Sequence, residues 1–133
     1  MRKIEHIGIA VKDLDVSNAL FEKLFGAPAY KAEEVASEGV TTSFFLNGPN
    51  KIELVAATNP DSPIAKFIEK KGEGIHNIAF DVEYIVVEIA RLQKEGFVGL
   101  NETPKNGADN KLVAFLHPKS TNGVLIELWQ EIR

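Results

Sequence analysis

Residues 6–26 read HIGIAVKDLDVSNALFEKLFG, and residues 77–97 read NIAFDVEYIVVEIARLQKEGF. Each stretch opens on a short apolar run, crosses charged residues and enters a helical pattern. Each helix stops at a glycine, Gly26 or Gly96, the residue that most readily ends a helix. A second pair of stretches continues the match. SFFLNGPNKIELV (43–55) resembles AFLHPKSTNGVLIELW (114–129). Each is a strand, then a turn containing Asn and Gly, then a strand ending in Ile-Glu-Leu. Asn122-Gly123 is a tight-turn signal. The chain therefore carries an internal repeat.

Each half reads as a strand, a helix and about three further strands. In the first module, residues 1–58, the pattern predicts a strand over 3–11, a helix over 14–25 and strands near 28–35, 40–47 and 50–57. In the second, residues 74–133, it predicts a strand over 74–82, a helix over 84–95 and strands near 97–101, 111–117 and 123–130. A helix over 62–72 links them. Ser62 suits its N-cap, Pro63 its first position and Gly72 its end. The linker helix joins two modules of one domain spanning residues 1–133.

Composition narrows the function. The 133 residues suffice for one domain with a real core. Hydrophobic residues at 44% and charged residues at 26% are those of a soluble globular protein. The absence of cysteine excludes disulfides, thiolate zinc sites and a cysteine nucleophile, and fits a reducing cytoplasm. The opening run MRKIEHIGIAV is too short, and too interrupted by Glu5 and His6, for a signal peptide or a membrane span. A net charge of −4 argues against non-specific nucleic-acid binding, yet a local group of lysines can still hold an anionic small ligand.

Strand side chains alternate between faces. In the first strand Ile7, Ile9 and Val11 share a bulky face suited to packing under helices, while His6, Gly8 and Ala10 share a small-residue face. Over 74–82, His76, Ile78, Phe80 and Val82 take the bulky face, and Asn77, Ala79 and Asp81 the small one. Asn77 is thus the repeat-mate of His6, and His76 stands one residue out of phase. Glu53, between Ile52 and Leu54, and Glu127, between Ile126 and Leu128, point away from their apolar neighbours. If the modules pair with pseudo-twofold symmetry, positions 6, 53, 77 and 127 converge. A histidine and two carboxylates so placed suit a divalent metal: Co²⁺, Mn²⁺, Fe²⁺, Ni²⁺ or Zn²⁺. His117, in HPKS, reads as a turn histidine able to contact a ligand.

The segments KIEHIGIAVKDL, DSPIAKFIEKKGEGIHNIAF and KLVAFLHPKSTNGVLIEL resemble methylmalonyl-CoA epimerases, members of the vicinal oxygen chelate superfamily with glyoxalase I and the extradiol dioxygenases. The resemblance covers almost the whole chain, and DSPIAKF with FLHPKS and GVLIEL carries most of its specificity. It implies an α+β fold, two paired βαβββ modules forming a cupped, mostly antiparallel eight-stranded sheet around a metal. The metal ligands it implies are His6, Glu53, position 77 and Glu127. Position 77 is the second histidine of a His-His pair in the family; here the pair reads His76-Asn77. The strand after EGV, which can carry a further acid, reads VTTSFF.

The implied reaction removes and returns the C2 proton of methylmalonyl-CoA, interconverting its (R) and (S) forms. A divalent metal, first of all Co²⁺, would stabilise the enolate. Inversion needs proton donors or acceptors on both faces of the planar enolate. Glu127 is assigned as ligand and base, and Glu53 as ligand or opposing acid/base. Lys105, Lys111 and Lys119, with His117, are candidates for contacting the acyl-CoA. Asn77 can ligate through its amide oxygen, leave its place to water, or yield it to His76. Two alternatives stay open: a glyoxalase-like lyase or other metal enzyme of the same fold, and a non-catalytic small-molecule binder. The resemblance further implies a homodimer.

Overall fold

Asp13 opens the first helix. Its backbone is extended, and its carboxylate accepts the Val16 N–H at 3.2 Å, satisfying one of the donors that a helix start leaves bare. The helix α1 (Leu14–Phe25) ends where Gly26 turns left-handed at φ 75°, a conformation that costs glycine little because it has no Cβ. The second helix, α2 (Pro63–Lys71), starts at Ser62, whose hydroxyl accepts the Ile64 N–H at 3.2 Å and donates to the Glu38 carbonyl at 3.4 Å. Tyr84 gives α3 (Ile85–Lys94) no side-chain cap. The Gln130 side chain takes the Ile85 N–H instead, at 2.7 Å.

The Ser62 cap is 2% exposed, so its two hydrogen bonds have little competition from water. Ser62→Ala is expected to cost about 1 kcal/mol of stability. Urea unfolding monitored by circular dichroism measures this, and an unchanged midpoint would refute the capping role.

The computed structural model describes residues 1–100, 103–107 and 110–132. Its strands are β1 (Lys3–Ala10), β2 (Lys31–Val35), β3 (Val40–Asn47), β4 (Asn50–Ala57), β5 (Gly74–Asp81), β6 (Lys105–Gly107), β7 (Lys111–Leu116) and β8 (Leu125–Glu131). The chain divides into two units: residues 6–76, and residues 1–5 together with 77–133. In the first the strand order is β2-β3-β4-β1, and in the second β5-β8-β7-β6. β1 pairs with β4, and β5 with β8, in parallel; the other pairs within each unit are antiparallel. No helix among the described residues is long and apolar enough to cross a membrane.

The strand expected at 97–101 is not one. Gly99 makes a single isolated bridge to Leu116, flanked by hydrogen bonds from Leu100 N–H to the Phe115 carbonyl and from His117 N–H to the Val98 carbonyl; residue 101 lies outside the described residues. The fourth strand of this unit is β6, further along the chain, where Lys105, Asn106 and Gly107 face Val113, Leu112 and Lys111. The apolar residues Phe97, Val98 and Leu100 carried the strand signal. Phe97, however, joins the core cluster under α3, so packing of that side chain rather than a ladder holds this segment.

The bulky faces lie under the helices as the alternation predicts. In the first unit Val11, Phe45, Leu54 and Ala56 form a core against Leu14, Phe21 and Phe25 of α1. In the second, Val82, Leu128, Ala114 and Leu116 pack on Ile85, Ile89 and Leu92 of α3. The linker helix has a role that its sequence did not reveal. Ile64, Phe67 and Ile68 of α2 pack on Ala10, Val40 and Val55, which lie on the opposite, small-residue face of the first unit. α2 therefore roofs one end of the face that carries His6 and Glu53. An amphipathic helix must bury its apolar stripe somewhere, and this face, lined by small and β-branched residues, receives it.

Candidate functional site

Register places the candidate side chains. In the first unit His6 pairs with Lys51, Gly8 with Glu53 and Ala10 with Val55. Across β3, Phe44 pairs with Glu53 and Thr42 with Val55. Paired residues share a face, so His6, Glu53 and Phe44 lie on one side of the half-sheet with Gly8 between the first two. His6 is only 6% exposed and its Nε2 is enclosed; Glu53 is half-buried. Lys31, opposite Phe44 on β2, holds its Nζ 5.8 Å from the Phe44 ring centre and 3.2 Å from Glu33.

The second unit repeats the arrangement. Ala79 pairs with Glu127, and Glu127 with Phe115. Asn77, two residues before Ala79, shares that face. Its Nδ2 donates to Glu127 Oε1 at 3.0 Å, with Asn77 4% and Glu127 8% exposed. The Nζ of Lys105 sits 5.7 Å from the Phe115 ring centre. Lysine, phenylalanine and glutamate thus recur together as Lys31, Phe44 and Glu53 in one unit and Lys105, Phe115 and Glu127 in the other. Glutamate and phenylalanine were both visible in the repeated sequence, but the lysines were not, because β2 and β6 do not align.

Other candidates have specific surroundings. Lys111 lies over the Trp129 ring at 5.0 Å and 3.6 Å from Glu131, with its side chain 14% exposed. His117 caps the short turn Pro118–Ser120, its Nδ1 accepting the Lys119 N–H at 3.1 Å, so the turn histidine holds backbone while Lys119 sits on that turn. His76 packs edge-on against Phe67 of α2, ring centres 4.9 Å apart. Asp81, on the small-residue face, is one residue the sequence left without a role. It is 6% exposed and bonded to Arg2, with the charged atoms 3.0 Å apart. That hydrogen bond raises the Arg2 pKa further above its already high ordinary value. An acidic residue on the small-residue face of β5 was the available signal for this pair.

The side chains offer a metal an imidazole nitrogen at His6, carboxylates at Glu53 and Glu127, and a carboxamide at Asn77. Those donor types fit a borderline divalent cation. Among the described residues no three histidine, aspartate or glutamate side chains gather around one point, so the fit is one of donor chemistry.

The sequence matches the Glyoxalase/Bleomycin resistance protein/Dioxygenase superfamily over residues 5–115. It is 40% identical to the ethylmalonyl-CoA/methylmalonyl-CoA epimerase of Cereibacter sphaeroides, over 96% of this chain and 97% of that one. It is 39% identical to the human mitochondrial methylmalonyl-CoA epimerase, over 96% of this chain and 73% of the relative. A solved structure of a variant Streptomyces coelicolor methylmalonyl-CoA epimerase, in complex with 2-nitronate-propionyl-CoA, superposes with a TM-score of 0.93 at 30% identity, covering 100% of this chain and 99% of that one. The eight strands and three helices among the described residues are therefore those of the glyoxalase fold, and the chain belongs to the methylmalonyl-CoA epimerase family of that superfamily.

Proposed function

We propose that the protein is a methylmalonyl-CoA epimerase, an isomerase that interconverts (R)- and (S)-methylmalonyl-CoA by removing and returning the C2 proton. The observation that carries this reading is a buried, hydrogen-bonded carboxylate, Glu127, on a face it shares with Phe115, whose ring Lys105 overlies. Enolate chemistry needs such a base, and an acyl-CoA needs cations for its phosphates. The relative that binds 2-nitronate-propionyl-CoA supports the same substrate class for this chain.

Glu127 takes the C2 proton from one face of the substrate, and Glu53 serves the other. Planarity of the enolate exposes both faces, so a proton delivered by Glu53, acting as the carboxylic acid while Glu127 acts as the carboxylate, inverts the centre and leaves Glu127 protonated and Glu53 ionised. Lys105, Lys111, Lys119 and His117 are the proposed contacts to the acyl-CoA. Phe115 beside Glu127, and Phe44 beside Glu53, limit water near each carboxylate and strengthen its charge interactions.

The family is metal-dependent. For this chain the proposed cation is Co²⁺, with Mn²⁺, Ni²⁺, Zn²⁺ or Fe²⁺ as substitutes, served by His6, Glu53, Asn77 and Glu127. When bound, it supplies positive charge that stabilises the enolate oxygen. Imidazole is a better donor than a carboxamide for such a cation, so Asn77→His is expected to bind Co²⁺ more tightly than the native chain. Calorimetric titration of both metal-free proteins decides it; equal affinity would remove position 77 from the ligand set.

The reaction itself is tested by incubating the cobalt-loaded protein with (S)-methylmalonyl-CoA in D₂O. Loss of the C2 proton signal together with appearance of the (R) form is the expected result. No exchange at any metal loading would overturn the assignment. A homodimer and a cytoplasmic location complete the proposal; the first rests on the family resemblance and the second on the cysteine-free composition. Light scattering on the purified chain tests the dimer.

A further inference from the structure

Taking the epimerase reading as its basis, we propose that Asn77 acts as a positioning residue: its amide N–H holds the Glu127 carboxylate in its working orientation. The backbone makes this possible. β5 and β8 run parallel, with Ala79 directly beside Glu127 and Asn77 beside Leu125. Asn77 therefore reaches Glu127 along the diagonal, past Ala79. The alanine is fully buried and presents only a methyl group, so no side chain stands between the two polar groups.

The chemistry fixes the direction of the contact. An ionised carboxylate only accepts hydrogen bonds, so the amide must turn its NH₂ toward Glu127 and its oxygen away. The 3.0 Å separation is that of a good N–H···O bond. Both side chains are more than nine-tenths buried. A charge-assisted bond there is stronger than at the surface, and a carboxylate left without it would bear the full cost of desolvation. Terminal rotation of a glutamate is otherwise soft. The amide removes that freedom, so the carboxylate meets substrate and cation in one orientation instead of many. A carboxamide is neutral, uncharged at any working pH, and supplies a donor without adding charge beside the base.

Nuclear magnetic resonance on the metal-free protein reads the contact directly. The Asn77 side-chain NH₂ pair, assigned by its loss in Asn77→Leu, is expected to exchange slowly with solvent and to collapse to the fast-exchanging position in Glu127→Ala. In the Zn²⁺-loaded protein, which is diamagnetic, the pair should persist. Asn77→Leu, similar in shape but without a donor or a ligand atom, should weaken Co²⁺ binding about 10- to 100-fold; the Glu127-dependence of the NH₂ pair is what separates a supporting role from a ligating one. Its kcat should fall while the KM for methylmalonyl-CoA moves less than about twofold, because the acyl-CoA contacts lie elsewhere. An NH₂ pair that is indifferent to Glu127→Ala, or that vanishes on Zn²⁺ loading, would overturn the proposal, as would native cobalt affinity in a folded Asn77→Leu. Where Asn77→Leu does not fold, the pair is assigned by through-bond correlation to the Asn77 backbone, and the resonance measurement on the native chain and Glu127→Ala decides. Its result is independent of turnover: a protected, Glu127-dependent pair in a chain that does not exchange the C2 proton would reject the epimerase assignment and leave the contact standing.

Discussion

Glu127→Gln is expected to lower epimerase kcat by about 10²- to 10⁴-fold, the range that general acid–base catalysis supplies. The substitution preserves shape. Glutamine keeps a carbonyl oxygen where Glu127 Oε1 accepts from Asn77, so the buried pair retains a hydrogen bond and the fold should survive. What it removes is the charge and the ability to take a proton. The comparison therefore isolates chemistry from structure, which an alanine substitution at a buried position would not. Deuterium incorporation at C2 is the appropriate readout, since it reports proton removal even if reprotonation from the second face is slow. Exchange within about threefold of the native rate, in a variant whose melting temperature is unchanged, would exclude Glu127 as the base. Glu53→Gln gives the complementary measurement. If Glu53 serves the opposite face, that variant should lose interconversion while retaining exchange at C2 from one enantiomer.

The second large effect concerns the scaffold. Phe45→Ala is expected to destabilise the protein by about 3–5 kcal/mol. Phe45 is 1% exposed and sits on the helix-facing side of β3. Its ring lies 6.3 Å from Phe21 and 5.8 Å from Phe25 of α1, tilted in both cases. Truncation removes the buried ring and leaves a cavity under the helix that cannot fully collapse. A domain of this size is stable by roughly 5–15 kcal/mol, so a large share is at stake. With a urea m-value of about 2 kcal/mol/M, the unfolding midpoint should fall by roughly 2 M. A fall of less than about 0.5 M would mean that the ring is less tightly packed than its burial and aromatic neighbours require.

Phe45 and Glu127 also differ in how far the sequence announces them. Phe45 alternates with Phe44 in an apolar strand, and the pleat sends them to opposite sides: Phe45 under α1, Phe44 beside Glu53. That assignment needs only the period of two and the rule that bulky faces bury under helices. The same rule separated His76 from Asn77. Helix limits were legible because their signals are local: Ser62 as a cap, Gly26 and Gly72 as stops. Local signals misled at 97–101, where an apolar run supplied strand-like composition and packing of Phe97 under α3 decided otherwise.

The sequence by itself determined the repeat, the equivalence of positions between its halves and the face on which each candidate side chain lies, because all three depend on spacing along a regular backbone. Tertiary structure alone decided three things. It set Asn77 against Glu127, residues fifty positions apart whose contact arises only from the parallel pairing of β5 with β8. It laid α2 over the small-residue face of the first unit, which no property of the helix specifies without its receiving surface. It also brought Lys31 and Lys105 to equivalent rings from strands that do not align. A periodic pattern states which way a side chain points; what it meets there depends on chain segments that only folding brings near.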